Sequence, residues 1–99
     1  MRALLVEDDA TMALLTKQVL EQEGFAVDHA PTGNDAQTLA FVNEYDAIVL
    51  DLTLPDRNGL TVLQALRKEG RSTPVIVLTG SNDSAELAEI LIGEIPALR

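Results

Sequence analysis

The stretch Ala47-Ile48-Val49-Leu50-Asp51-Leu52-Thr53-Leu54-Pro55-Asp56-Arg57-Asn58-Gly59 decides the fold. Its first four residues are apolar and the fifth is an acid, the pattern of a strand buried on both faces that ends where the chain meets solvent. Leu54 to Gly59 then supplies the Pro, Asp, Asn and Gly of a turn, after which Leu60, Leu63 and Leu66 line up on one helical face. A buried strand, a turn and an amphipathic helix make one β-then-α unit.

The same unit recurs on both sides. Upstream, Arg2-Ala3-Leu4-Leu5-Val6 is an apolar run that stops at three consecutive acids, Glu7-Asp8-Asp9. From Thr11 to Glu23 the apolar positions Met12, Leu15, Val19 and Leu20 recur at helical spacing, with Asp9 placed as the cap and Gly24 as the stop. Phe25 to Ala30 is a second strand, and Thr32 after Pro31 can cap a helix that runs to Val42. Downstream, Pro74 to Thr79 is β-branched and apolar, and Gly80-Ser81-Asn82-Asp83 turns it into a helix over 84–92, where Asp83 and Glu86 resemble a capping box. Four such units with short loops predict a doubly wound α/β fold, with a parallel sheet and helices on both of its faces.

Composition narrows the function. The chain has 99 residues, 46% of them apolar, which suits one domain with a packed core over 1–99. Sixteen Asp and Glu against seven Lys and Arg leave a net charge of -9, which repels nucleic-acid phosphates and anionic lipid alike, so this segment is expected to bind neither nucleic acid nor membrane directly. Cysteine is absent, which removes disulfides, thiolate metal sites and thiol nucleophiles. The apolar run before Glu7 is too short for a signal peptide, and a cytoplasmic location is expected.

In an open parallel sheet, sites form beyond the carboxyl ends of the strands where the strand order reverses. Here those ends carry Glu7 and Asp8, Asp51, and Thr79. If the first and third strands are neighbours, their ends lie about 4.8 Å apart and the carboxylates converge. Such a group repels itself unless it is protonated or bridged by a cation, and an all-oxygen set suits a hard ion such as Mg2+. Asp51 could then act as a nucleophile toward a phosphoryl group. Taken singly, each acid reads first as an ordinary loop residue or helix cap, and the coincidence of four strand ends is what shifts that reading.

Together, Leu5-Val6-Glu7-Asp8-Asp9, Val49-Leu50-Asp51-Leu52, Leu54-Pro55-Asp56 with Gly59, and Leu78-Thr79-Gly80 resemble the receiver domain of two-component response regulators over about residues 1–92. The flavour is closest to receivers that precede winged-helix DNA-binding domains. The resemblance implies a flavodoxin-like sheet of order 2-1-3-4-5 and phosphoryl transfer to Asp51 from a phosphohistidine of a sensor histidine kinase. It implies Mg2+ held by Asp8, Asp51 and the backbone carbonyl of Thr53, with Glu7 acting through water. Thr79 would bond the phosphoryl oxygen and act as the switch, and Thr53 and Ser81 would flank the attacking water. An effector domain or separate output protein would receive the signal, and the domain would catalyse only its own phosphorylation and dephosphorylation.

The family's lysine at the end of strand five would fall just past Arg99, and Leu98 occupies the place of its aromatic switch residue. Strand five is therefore expected to be partial and the fifth helix missing. A degenerate receiver that binds partners without phosphorylation is the alternative. An aspartate-nucleophile phosphatase is a further one, although Asp51-Leu52-Thr53 lacks that family's second Asp. The apolar segment Leu87 to Ile92, continued by Ile95 and Leu98, predicts a homodimer through the C-terminal segment. His29 reads as a surface residue. Thr32-Gly33-Asn34 reads as a helix start able to hold an anion.

Overall fold

The computed structural model describes residues 1–78. The expectations that fall on Thr79–Arg99 lie outside them: the helix over 84–92, Thr79 and Ser81, the partial fifth strand and missing fifth helix, and dimerisation through the C-terminal segment.

Each expected element in the described region forms, with ends that shift by about a residue. Strand β1 (Arg2–Val6) leads to α1 (Ala10–Gln22), β2 (Ala26–Ala30) to α2 (Gly33–Val42), β3 (Ala47–Asp51) to α3 (Gly59–Lys68), and β4 (Val75–Leu78) follows. The caps explain the helix starts. Asp9 accepts the amides of Thr11 and Met12 at 2.9 and 3.0 Å, Thr32 accepts that of Asp35 at 3.0 Å, and Asn58 accepts that of Leu60 at 2.9 Å. Each satisfies an amide that the first helical turn leaves without a backbone acceptor. Gly24, after α1, has φ +94°, and Gly70, after α3, has φ +80°, a region that suits residues without a Cβ.

The four strands form one parallel sheet of order β2-β1-β3-β4. Alternation along each strand divides the core in two. Leu4 and Val6 of β1, Ile48 and Leu50 of β3, and Val75 of β4 face Ala36 and Ala40 of α2 and Val62, Leu63 and Leu66 of α3. Leu5 and Val49 point the other way, where they meet Ala13 of α1 with Leu20 and Val27 beside them. Helices thus cover both faces.

Helix α1 departs from its expected packing. Of the apolar positions that mark it as a helix, Met12, Leu15 and Val19 stand 48%, 52% and 59% exposed, and Leu20 alone packs toward the sheet. The contact with the sheet runs through the expected Leu20 and through Ala13, seven residues before it on the same line of the helix. On the same sheet face, Ile76 of β4 is 38% exposed.

At the opposite, amino-terminal edge, Arg2 pairs with Asp28 at 2.7 Å and lies 5.3 Å from the centre of the Tyr45 ring, whose hydroxyl also donates to Asp28 at 2.7 Å. Burial and this bond to Asp28 raise the Tyr45 phenol to about 12.

Helix α3 begins directly beneath the end of β3. A Cβ on Gly59 would lie 2.8 Å from Cα of Leu52 and closer still to the carbonyl oxygen of Asp51, both rigid backbone atoms. Gly59→Ala should therefore cost about 1–3 kcal/mol in urea unfolding, the range for overpacking a tight contact. An unchanged midpoint would show that the backbone yields freely there.

Candidate metal centre

The strand order reverses between β1 and β3, because β2 and β4 lie on their outer sides. Registering Val6 with Leu50 sets the next residues, Glu7 and Asp51, at the same level of the sheet. Asp8 follows Glu7 in the connection to α1. Glu7, Asp8 and Asp51 each present a carboxylate oxygen, and these oxygens all lie within 4.8 Å of one another.

The three acids sit in different surroundings. Glu7 is buried, with 7% of its surface exposed, Asp51 is half-buried and Asp8 is exposed. The backbone around Glu7 is held on its β2 side: its amide donates to the carbonyl of Ala30 at 3.1 Å, and Nε2 of His29 lies 2.6 Å from its carbonyl oxygen. His29 is a surface residue, as expected, with its ring on that backbone. Asp51 is oriented from below by the amide of Thr53, which donates to its Oδ1 at 2.9 Å.

The electrostatics follow from this crowding. Desolvation raises the Glu7 carboxyl to about 8, reinforced by a hydrogen bond with Asp51 and by the negative charges of Asp51, Asp8 and Asp9. Every charged group acting on it is an acid. Without a cation, the cluster relieves its repulsion by keeping a proton on Glu7. A set made only of carboxylate oxygens at such spacing suits a hard divalent ion, which takes oxygen ligands and in the case of Mg2+ retains several waters. The residues present therefore fit Mg2+.

Of the expected site residues, Glu7, Asp8, Asp51 and Thr53 are brought together, and Thr79 lies outside the described residues. Sequence reasoning placed Asp56 only within a turn motif. Its carboxylate in fact accepts the amides of Gly33 and Asn34 at 2.8 and 2.9 Å, the start of α2. The anionic group at that helix start is the chain's own carboxylate. These amides, that of Gly33 first, hold the Asp56 carboxyl below its ordinary range. Nothing local in the sequence signals a contact between segments so far apart.

Comparison with known proteins extends this picture. The family model of the response regulator receiver domain matches residues 3–95. The cell cycle transcriptional regulator CtrA of Caulobacter vibrioides is 41% identical over 83 residues, which is 84% of this chain and 36% of that protein. The chain thus spans little more than a third of that curated relative. Among solved structures, the receiver domain of a Francisella response regulator superposes with a TM-score of 0.86 at 32% identity, over 95% of this chain and 78% of the other. The response regulator TrrA of Thermotoga maritima, solved in complex with Mg2+ and BeF, gives 0.81 at 32% identity, over 86% of this chain and 74% of the other. A sheet of order β2-β1-β3-β4, acids gathered at the ends of β1 and β3, and a family match across nearly the whole chain have one meaning: the chain belongs to the response regulator receiver domain family.

Proposed function

We infer that the chain, as one unit over 1–99, is a phosphoacceptor module of two-component signalling, with Asp51 as the residue that takes the phosphoryl group. The observation that carries this reading is the gathering of the Glu7, Asp8 and Asp51 oxygens within 4.8 Å at the strand switch point. The Mg2+ complex of the Thermotoga relative, at 32% identity, supports it.

Asp51 is the nucleophile. One of its carboxylate oxygens attacks phosphorus as the P–N bond of a phosphohistidine on a sensor kinase breaks; a P–O bond forms and the imidazole leaves with the electron pair. The Thr53 amide on Oδ1 fixes the rotation of the attacking carboxylate. Asp8, Asp51 and the Thr53 carbonyl would hold Mg2+, with Glu7 reaching it through water. When bound, the ion offsets the charge of the carboxylates and of the phosphoryl oxygens. Thr79 would bond the phosphoryl group and carry the switch. Glu7 changes protonation with the occupancy of the centre, since a cation removes the reason for its proton.

The relatives are transcriptional regulators much longer than this chain. An effector domain or output protein therefore receives the signal, in the cytoplasm, and the module acts on no substrate beyond its own phosphoryl group. No helix among the described residues is long and apolar enough to cross a membrane.

Incubated with Mg2+ and acetyl phosphate, the protein should gain one acid-stable, base-labile phosphoryl group by intact mass, and Asp51→Asn should gain none. Labelling that persists in Asp51→Asn would move the acceptor elsewhere. By calorimetry, Asp8→Ala should weaken Mg2+ binding about tenfold or more, and an unchanged affinity would separate the acids from the metal.

The raised Glu7 carboxyl also sets a pH dependence. Between 4.5 and about 8 the folded chain binds more protons than the unfolded one, so the stability from this group is full below 4.5 and is lost as pH rises toward 8. In chelator, urea unfolding should show a loss on the order of a few kcal/mol across that window, and Glu7→Gln should flatten it. A metal-free stability that rises over the same window, with Glu7→Gln behaving as wild type, would contradict the assignment.

A further inference from the structure

The loop between β3 and α3 carries Thr53, and it is fastened in two places. At its base, Thr53 and Asn58 form an isolated antiparallel bridge and the amide of Gly59 donates to the carbonyl of Leu52 at 2.9 Å. At its tip it leaves its own unit and grips α2. Both Asp56 oxygens are taken up by consecutive amides of the first α2 turn, Gly33 at 2.8 Å and Asn34 at 2.9 Å. Arg57 lies across the same turn: its Nη2 donates to Oδ1 of Asn34 at 3.1 Å. Its stem runs so close to Gly33 that a Cβ there would sit 2.7 Å from Nε and 2.9 Å from Cγ.

Two features separate this grip from ordinary capping. Helix α2 already has its own cap, Thr32, on the amide of Asp35. Asp56 satisfies amides that helix starts leave open, yet it arrives from another element, so the energy of the bonds ties loop to helix. The missing Cβ at Gly33 makes room for that approach.

We propose that Asp56 is a positioning residue for the metal and phosphoacceptor centre: by holding the β3–α3 loop against the first turn of α2, it keeps the Thr53 amide on the Asp51 carboxylate. Asp56 itself touches neither ion nor phosphoryl group. It acts through Thr53, which belongs to the fastened base of the loop and whose amide holds the rotation of Asp51. The functional meaning of this role rests on the reading of Asp51 as phosphoacceptor.

Asp56→Ala and Thr32→Ala separate positioning from helix stability. Both remove a cap from α2, but only the first frees the loop. Two readouts apply to the full chain: hydrogen exchange of the Thr53 amide by NMR in chelator, and Mg2+ affinity by calorimetry. Asp56→Ala should speed Thr53 exchange and weaken Mg2+, each about three- to tenfold, the size of effect a lost cap produces. Thr32→Ala should lower the melting temperature comparably and leave both readouts within about twofold. Asp56→Asn, which keeps an acceptor oxygen toward one amide and turns an NH2 donor toward the other, should fall between Asp56→Ala and wild type. The role is overturned if Asp56→Ala keeps wild-type Thr53 protection, or if Thr32→Ala moves both readouts as far. Wild type that binds no Mg2+ would instead defeat the proposed function, and the exchange comparison would still decide the role of Asp56.

Discussion

Leu4, Leu5 and Val6 of β1 lie in register with Ile48, Val49 and Leu50 of β3, and this parallel pairing forces acids together one residue further on. All six side chains are at most 3% exposed. At about 1.5–3 kcal/mol for each buried aliphatic side chain, the pairing outweighs the cost of crowding carboxylates at its end. That cost is taken up by Glu7, which stays protonated in the absence of a cation. A cluster of carboxylates whose repulsion is relieved by a proton on Glu7 is therefore a by-product of how the core is built.

The loop after Asp51 converts this placement into orientation. Pairing puts the carboxylates at one level of the sheet but leaves a half-buried side chain free to rotate. The Thr53 amide removes that freedom, and Gly59 lets the chain turn tightly enough under β3 for Thr53 to reach back. Short-range turn chemistry and a contact to a distant helix act on the same carboxylate.

Much of this was legible beforehand because it is encoded locally. Apolar runs that stop at acids marked β1 and β3, and Asp9, Thr32 and Asn58 or their turns marked the helix starts. The convergence of Glu7, Asp8 and Asp51 followed from topology, since neighbouring parallel strands end at one edge. What stayed hidden depends on three-dimensional partners. Of the apolar positions read in α1, Leu20 meets the sheet while Met12, Leu15 and Val19 stand exposed, because periodicity identifies a helix without saying which line of it touches the core. Asp56 reads as a turn residue because its partners, Gly33 and Asn34, come from a different β-then-α unit.

The sheet is unequally covered among the described residues. Twelve buried residues join α2 and α3 to one face, whereas three tie α1 to the other. Partial opening of such a fold begins where least packing is lost, and among the described helices that is α1. Its cap is Asp9, and the residue before it is Asp8. Fraying of α1 from its first turn would loosen one corner of the acidic notch while β1, β3 and their other helices stay folded. Access to the notch would then be governed by a local fluctuation of one helix, at a rate far above that of global unfolding.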